Sequence, residues 1–300
     1  MTEPSGVILI NKPAGFTSHD CVNKIRRLYN TKKVGHTGTL DPMATGVLPV
    51  LVGRAAKAAE LLVSDDKIYR AGLKLGITTD TEDTTGTTLT ECGDIPDAER
   101  VLAVCREFVG DIMQVPPMYS ALKVGGKKLV DLAREGVTVE REARPITVYS
   151  LDATPTDSPC DYILTIHCSK GTYIRTLCAD IGARLGCGGA MSSLCRLASG
   201  SFKLADTYDI SALEEMDEDA RIAALCPTES LFSGYDAVKL APFFEKLSRD
   251  GNEIYQKKIG TAYPLGTHVR LCGKEGFYAL GEVREYAEGT AIKIIKLFSL

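Results

Sequence analysis

The stretch from Gly35 to Gly46 reads GHTGTLDPMATG, and it decides how the chain is interpreted. Three of its twelve residues are glycines, which allow the backbone to fold tightly. Pro42 restricts the preceding Asp41 to an extended conformation, so this carboxylate has a fixed direction on a stiff loop. A fixed direction suits a catalytic carboxylate, which must meet its target closely. The structural alternative is a turn or a helix start, because Asp followed by Pro commonly caps a helix.

The residues before this loop predict a strand and a helix. Residues 6–11 form a short apolar run, and the turn signal KPAG at residues 12–15 ends it. Thr17 can then cap a helix, with Asp20 in the position that completes a capping box.

The chain after the loop alternates between strand and helix patterns. Residues 67–75 alternate in polarity, with Tyr69 on the apolar face, where a core tyrosine is the structural alternative to a functional one. Residues 78–90 predict a polar loop or an irregular hairpin. Other strands are predicted at residues 47–52, 146–152 and 162–168, and helices at residues 54–63, 97–109, 129–134 and 211–225.

A second candidate constellation is SKGTYIR at residues 169–175. Thr172 can cap a helix, which would put Arg175 at the third helical position. A cation there is mildly disfavoured by the helix dipole, and a residue that breaks a local rule is a candidate for function. The alternative is an exposed arginine in a surface ion pair.

Two regions differ from the core pattern. Residues 115–144 are rich in Lys, Arg, Gly and Pro and predict an excursion from the core. The residues after about 233 predict several short strands, which suits a small barrel. These strands are expected at residues 262–265, 267–271, 276–283 and 290–297. The pattern as a whole predicts an α+β fold: a mixed sheet flanked by helices, followed by a small C-terminal β-barrel.

Composition restricts the class of protein. The net charge is −4, so any contact with nucleic acid must come from local basic patches. No apolar run approaches the roughly 20 residues that span a bilayer. No secretory signal is visible either, and a cytoplasmic protein is expected. The ten cysteines show no C-x-x-C spacing, which predicts reduced and mostly buried thiols, including Cys105, Cys168, Cys178 and Cys195.

The motifs together resemble the TruB family of bacterial tRNA pseudouridine synthases. The resemblance covers about residues 6–204, and beyond residue 233 the chain is more loosely similar to a PUA-type RNA-binding barrel. The matching motifs are KPAGFTS at 12–18, the loop at 35–46, KIY at 67–69, QVPPMYSALK at 114–123, GTYIR at 171–175, and LCRL at 194–197 leading to SGSF at 199–202. One departure is Val130, where the family would have an aromatic residue.

The resemblance implies roles for individual residues. Asp41 would be the catalytic carboxylate, Arg175 would orient it, and Tyr69 would stack on the target base and take part in proton transfer at C5. The substrate-binding residues would be His36, Tyr173, Leu194 and Lys12.

The resemblance also implies a reaction and its partners. The T-loop uridine of tRNA, uridine-55, would be flipped out and isomerised to pseudouridine with no cofactor and no metal. Residues 1–232 would form the catalytic domain, with an RNA-gripping loop at about 115–144, and residues 233–300 a PUA-like domain on the acceptor side of the tRNA. A monomer without membrane association or an obligatory protein partner is expected.

Three other interpretations remain. A guide-RNA-dependent relative shares the catalytic loop but usually has extra terminal segments. A tRNA-binding or RNA-folding chaperone would not require Asp41 and Arg175 together. A uridine C5-methyltransferase would need a cofactor fold and an activated cysteine.

Overall fold

The structure is a computed structural model that describes residues 4–59, 61 and 66–299. Within these residues the strands β1 to β18 are, in chain order, Gly6–Lys12, Val34–His36, Thr45–Val52, Lys67–Leu75, Ile77–Thr79, Thr88–Glu91, Gly110–Gln114, Lys123–Val124, Lys127–Lys128, Arg144–Pro155, Asp161–Cys168, Gly189–Ser199, Phe202–Lys203, Ala237–Lys239, Ile254–Tyr255, His268–Gly273, Gly276–Tyr286 and Gly289–Leu297. The helices α1 to α8 are Ser18–Leu28, Ala98–Glu107, Leu129–Arg134, Ile174–Leu185, Ile210–Glu215, Glu218–Ala223, Pro242–Arg249 and Gln256–Ile259. None of the described helices is long and apolar enough to cross a membrane.

A nine-stranded mixed sheet is the centre of the fold. Its main order is β1-β3-β12-β4-β11-β10-β7, with β2 paired to β3 and β13 paired to β12. β12 runs parallel to β3 and antiparallel to β4. It therefore joins the N-terminal strands, which flank the glycine-rich loop, to the strand that contains Tyr69.

Helices cover this sheet and bury its apolar side chains. Helices α2 and α4 pack on β4, β10, β11 and β12, where Leu73, Val104, Leu164 and Leu177 are fully buried. Helices α1 and α5 pack on β1 and β3 in a second buried cluster. This packing makes the central strands a rigid support for any site at their ends.

The C-terminal residues form a separate five-stranded sheet that curls into a half-barrel. Its own core lies under α7. A further buried cluster joins the two sheets, with Val7 and Leu51 on the N-terminal side and Leu280 and Phe298 on the C-terminal side. The predicted α+β fold is confirmed, and the predicted barrel is half open and in apolar contact with the central sheet.

Several predicted helices are confirmed and others are wrong. The Thr17–Asp20 capping box is present, and Asp97 caps α2. The helix predicted at 211–225 is instead the two short helices α5 and α6, because the chain is extended at Met216 and Asp217 begins a new helix. The helix predicted at 54–63 is a 3-10 helix at Gly53–Ala58, and residues 60 and 62–65 lie outside the described residues.

The strand predictions also have exceptions. Residues 78–90 lie in the hairpin formed by β5 and β6, as expected. Residues 262–265 form no strand, whereas β12 was not predicted as a strand at all. All ten cysteines are free, and of the four named above only Cys195 is not buried. The prediction of a buried Cys195 is therefore wrong, because its side chain lies on the less covered side of β12.

Candidate active site

Asp41 lies on a loop between β2 and β3 that is fixed by hydrogen bonds. Its carbonyl accepts a hydrogen bond from the Ala44 amide at 3.0 Å, which closes a turn rather than starting a helix. The neighbouring Leu40 exchanges hydrogen bonds with the Ser18 hydroxyl of α1. Next in the turn, the Pro42 carbonyl accepts from the Gly15 amide at 2.8 Å. The carboxylate is therefore held in place while about 35% of the side chain stays exposed.

Two buried cationic side chains, Lys12 and Arg196, donate hydrogen bonds to the backbone of the loop that contains Asp41. The Lys12 ammonium donates to the carbonyls of Pro13, Pro42 and Ala44, the last at 2.6 Å. The Arg196 guanidinium, from β12, donates to the Gly38 carbonyl of the same loop at 3.2 Å. Because both side chains are almost completely buried, their contacts with the loop are shielded from water.

Arg175 pairs with Asp41 as predicted by sequence, but from a buried position. Its Nε lies 2.9 Å from Asp41 Oδ2, and the side chain is only 6% exposed. Its Nη1 donates to the Thr81 carbonyl at 2.9 Å, and its Nη2 donates to the Tyr119 carbonyl at 2.7 Å and approaches Asp41 Oδ1 at 3.4 Å. This excludes the alternative of a surface ion pair, because the guanidinium is held from three directions.

A second carboxylate, Asp83, faces the same arginine and was not predicted. Its Oδ2 lies 3.9 Å from Arg175 Nε, and its side chain is 7% exposed. The other carboxylate oxygen accepts hydrogen bonds from the hydroxyl groups of Thr81 and Thr85 and from the Thr85 amide. Asp83 thus fixes the loop whose Thr81 carbonyl binds Arg175.

The N-terminus of α4 positions Arg175, but its capping residue differs from the one expected from the sequence. Tyr173, not Thr172, is the N-cap residue, and its side chain makes no capping hydrogen bond. Gln114 instead binds the Tyr173 backbone through both amide atoms, accepting at 2.8 Å and donating at 3.1 Å. Thr172 donates to the Ser169 carbonyl. The predicted cap was wrong because a glutamine from β7 satisfies the helix start.

A cavity opens above the Asp41–Arg175 ion pair. Its volume of about 660 Å³ is within the usual range for ligand-binding pockets. Asp41, Arg175, Tyr69, Tyr173 and Leu194 all line it. Burial raises the pKa of Tyr69 and that of Tyr173, so both phenols keep their protons at neutral pH. The cavity thus combines one oriented carboxylate with aromatic and apolar walls.

Two residues predicted to bind substrate lie away from this cavity. Lys12 is fully buried, and its three carbonyl partners prevent contact with a molecule in the cavity. His36 ends β2, is half-buried and is absent from the described residues that line the cavity. Burial, followed by the nearby Arg196, lowers the pKa of His36, and its Nδ1 accepts from the Gly38 amide at 3.3 Å. His36 is therefore an uncharged side chain beside the loop.

Basic side chains line the same cavity, although the chain as a whole is acidic. Besides Arg175 and Arg196, they are Lys67, Lys128, Arg144 and Lys170. Lys128 and Arg144 belong to the excursion at residues 115–144, and both are exposed. Positive charge is thus concentrated around the oriented carboxylate, as an anionic substrate would require.

The chain matches two family profiles that meet inside the candidate site. TruB family pseudouridylate synthase (N terminal domain) matches residues 26–174, and tRNA pseudouridylate synthase B C-terminal domain matches residues 175–233. Asp41 lies in the first matched segment, and Arg175 is the first residue of the second.

Relatives at the sequence level extend over most of the chain. A tRNA pseudouridine synthase B from Clostridium kluyveri is 46% identical over 250 residues, which are 83% of this chain and 85% of the relative. A tRNA pseudouridine synthase B from Clostridium tetani is 39% identical over 295 residues, which are 98% and 99% of the two chains. Together with these matches, the fold and site define an isomerase that acts on tRNA. This chain belongs to the TruB family of pseudouridylate synthases.

Solved structures agree with this assignment. A chain from a Cbf5-Nop10-Gar1 complex superposes with a TM-score of 0.75 at 26% identity and covers 98% of this chain and 85% of its own length. A chain from an H/ACA RNP bound to a substrate RNA containing 2′-deoxyuridine gives a TM-score of 0.74 at 25% identity, with the same two coverages.

Proposed function

We propose that this chain is a tRNA pseudouridine synthase that isomerises uridine-55 of the T-loop. The reaction breaks the bond between uracil N1 and ribose C1′, turns the base, and joins C5 to C1′. N1 gains a proton and C5 loses one, so substrate and product are isomers and no net redox change occurs. The observation that supports this proposal most strongly is the Asp41–Arg175 pair, with 2.9 Å between Nε and Oδ2, in the cavity of a TruB-family chain.

Asp41 is the catalytic carboxylate in this proposal. It acts at the sugar, either by forming a covalent adduct or by removing a proton. Both routes require one carboxylate oxygen to face the ribose while the other is held. The Arg175 guanidinium provides this, because its Nε binds Oδ2 at 2.9 Å, whereas Oδ1 lies 3.4 Å from Nη2, at the limit of hydrogen-bond distance, and is the oxygen left to face the ribose.

Tyr69, Tyr173 and Leu194 surround the uracil. The base must leave its stack before C1′ and C5 can react, and an aromatic pocket compensates for the stacking that is lost. Tyr69 stacks on the base, and its hydroxyl takes part in proton transfer at C5. His36 lies in an uncharged form next to the Asp41 loop, where it helps hold the flipped state by occupying space near the extruded base.

Lys12 has a different role from the predicted substrate contact. Its donors all go to carbonyls of the polypeptide, two of them in the Asp41 loop. We assign it the support of the loop that contains Asp41.

The tRNA is gripped at two places. Residues 115–144 place Lys128 and Arg144 beside the cavity, where they neutralise backbone phosphates of the T-stem-loop. The C-terminal unit, residues 233–300, is the PUA-like domain and contacts the acceptor side. Lys257 and Lys258 are exposed there, whereas Arg270 is paired with Glu229 at 2.7 Å.

The main alternative is a guide-RNA-dependent synthase, which the solved structural neighbours make worth testing. It differs in what the reaction needs: such an enzyme would require a guide RNA and partner proteins. Under our proposal the chain acts alone, as a monomer in the cytoplasm.

The test is incubation of the purified chain with an unmodified T-stem-loop RNA, followed by chemical detection of pseudouridine. We expect conversion at the T-loop uridine without guide RNA, partner protein or added cofactor. A stem-loop with cytidine at the target position serves as the control. No product from the uridine substrate would refute the proposed function, and product that appears only with a guide RNA would favour the alternative.

A further inference from the structure

Arg196 is a buried cation beside the candidate site, and its support of the Asp41 loop does not by itself explain why a charge is buried there. Its side chain is 1% exposed, and it lies on β12 at the wall of the cavity. Among the described residues its hydrogen-bond acceptors are uncharged, the carbonyls of Val47 at 2.7 Å and Gly38 at 3.2 Å, and Tyr69 lies beside it on the neighbouring strand. Burying a charge without a carboxylate is costly, so this position requires a reason.

The strand register brings Arg196 next to Tyr69. The two residues are direct partners in the antiparallel pair of β12 and β4, so their side chains lie on the same face. On the other side, Arg196 pairs with Gly46 in the parallel contact of β12 and β3. Gly46 has a positive φ of 101°, and a Cβ there would lie 2.2 Å from the Arg196 carbonyl oxygen. This close approach keeps Arg196 between the Asp41 loop and Tyr69.

The chemistry of the guanidinium decides the direction of any hydrogen bond between Arg196 and the adjacent Tyr69 hydroxyl. A guanidinium has only donors, so the Tyr69 oxygen must accept. The phenol proton then points away from Arg196. Because the Tyr69 side chain lines the cavity, this proton is available to a molecule bound there.

We propose that Arg196 is a positioning residue that fixes the Tyr69 hydroxyl as a hydrogen-bond donor towards the bound uridine and ties it to the loop of Asp41. This inference rests on the proposed function. The raised pKa of Tyr69, caused mainly by burial, agrees with it, because the hydroxyl must keep its proton while the uridine binds, before the proton transfer at C5.

A purely structural role is the competing explanation, because Arg196 also supports the loop. Lys12 offers a matched control for that role. It is equally buried, it is cationic, and it donates to carbonyls of the same loop, at Pro42 and Ala44. Among the described residues its hydrogen-bond acceptors do not include Tyr69.

The experiment is a double-mutant cycle on kcat, measured with the T-stem-loop RNA under single-turnover conditions. Arg196→Gln should lower kcat about 10- to 100-fold in the presence of Tyr69, as expected for one charge-assisted hydrogen bond, with a smaller effect on KM. In a Tyr69→Phe background the same substitution should cost less than about 3-fold. Lys12→Gln should cost the same factor in both backgrounds, because it acts on the loop alone.

The outcomes separate this inference from the proposed function. If Arg196→Gln costs the same factor with Tyr69 as with Phe at that position, the residue only supports the loop and the proposal is wrong. If the wild-type chain makes no pseudouridine, the proposed function fails and the Arg196 proposal fails with it. If Arg196→Gln does not fold, as judged by circular dichroism, Arg196→Lys replaces it in the cycle. The test is again whether its effect on kcat is smaller in the Tyr69→Phe background. Lysine keeps the charge but cannot reach both carbonyls and the hydroxyl with planar geometry.

Discussion

Replacing Arg175 with lysine tests the orientation of the catalytic carboxylate while keeping the charge. The arginine uses a planar set of donors for three different groups: the Asp41 carboxylate, the Thr81 carbonyl and the Tyr119 carbonyl. A lysine has one ammonium at the end of a flexible chain and cannot reproduce this geometry. At least one carbonyl oxygen and one oxygen of the partly exposed Asp41 carboxylate would lose their partner.

The size of the effect follows from these contacts. A buried acceptor left without a partner costs about 1–3 kcal/mol, whereas an oxygen of the partly exposed Asp41 can bind water instead, so the free energy of unfolding should fall by about 1–3 kcal/mol. Losing the two-point hold on Asp41 should remove about 2–3 kcal/mol of transition-state stabilisation, or about 30- to 150-fold in kcat. KM should change much less, because Arg175 holds the carboxylate rather than the RNA.

The assay is single-turnover formation of pseudouridine in the T-stem-loop, combined with denaturant unfolding of the same preparations. Arg184→Lys is the matched control: it lies on the same helix, its side chain is 61% exposed, and it pairs with Glu107 at 2.8 Å. This control should change neither quantity, because exposed ion pairs contribute little. Near-normal kcat for Arg175→Lys would refute the reasoning.

Three further predictions concern pH, RNA contact and the loop. Burial, with a neighbouring carboxylate, raises the pKa of Asp180 to about 6, so its contribution to stability is present at low pH and is lost as the pH rises from about 4 through about 6. Asp180→Asn should therefore be more stable than the wild type at pH 8, by about 1–2 kcal/mol, and equal to it near pH 4, as measured by denaturant unfolding. Charge reversal of Lys257 and Lys258 to Glu should raise KM for whole tRNA about 10-fold and make its salt dependence shallower, while KM for the stem-loop stays unchanged. Equal effects on both substrates would show that this surface does not contact the tRNA. Gly46→Ala should lower stability by about 2–3 kcal/mol in thermal melting, whereas Gly35→Ala, which meets only a methyl group at 4.0 Å, should be neutral.

Much of the fold was predictable because local rules and tertiary structure agree there. The Thr17–Asp20 capping box and the alternation of residues 67–75 are local signals, and the structure contains both features. β12 was missed because residues 189–199 do not alternate regularly between apolar and polar residues, in keeping with two register shifts against β4. Their burial comes from both neighbouring strands and α4 rather than from an alternating pattern.

The site was only partly predictable, for a related reason. Asp41 stood out because glycines and Pro42 surround it. Arg196 and Asp83 gave no comparable signal, because their partners are backbone carbonyls, hydroxyl groups and an arginine distant in sequence. Sequence alone cannot distinguish such a buried charge from an exposed one. The Thr172 cap was wrong because Gln114, about sixty residues earlier in the sequence, binds the helix start.

The most direct test of the central claim compares chemistry with binding in Asp41→Asn. The substitution preserves the shape of the side chain and removes the charge that acts at the sugar, while the cavity walls and the basic residues around it remain. Pseudouridine formation is followed in the unmodified T-stem-loop over hours, and the dissociation constant for the same RNA is measured alongside. We predict no product above the enzyme-free background and a dissociation constant within about 3-fold of the wild type. Pseudouridine formed by the Asn variant at an appreciable fraction of the wild-type rate would contradict the assignment of Asp41 as the catalytic carboxylate.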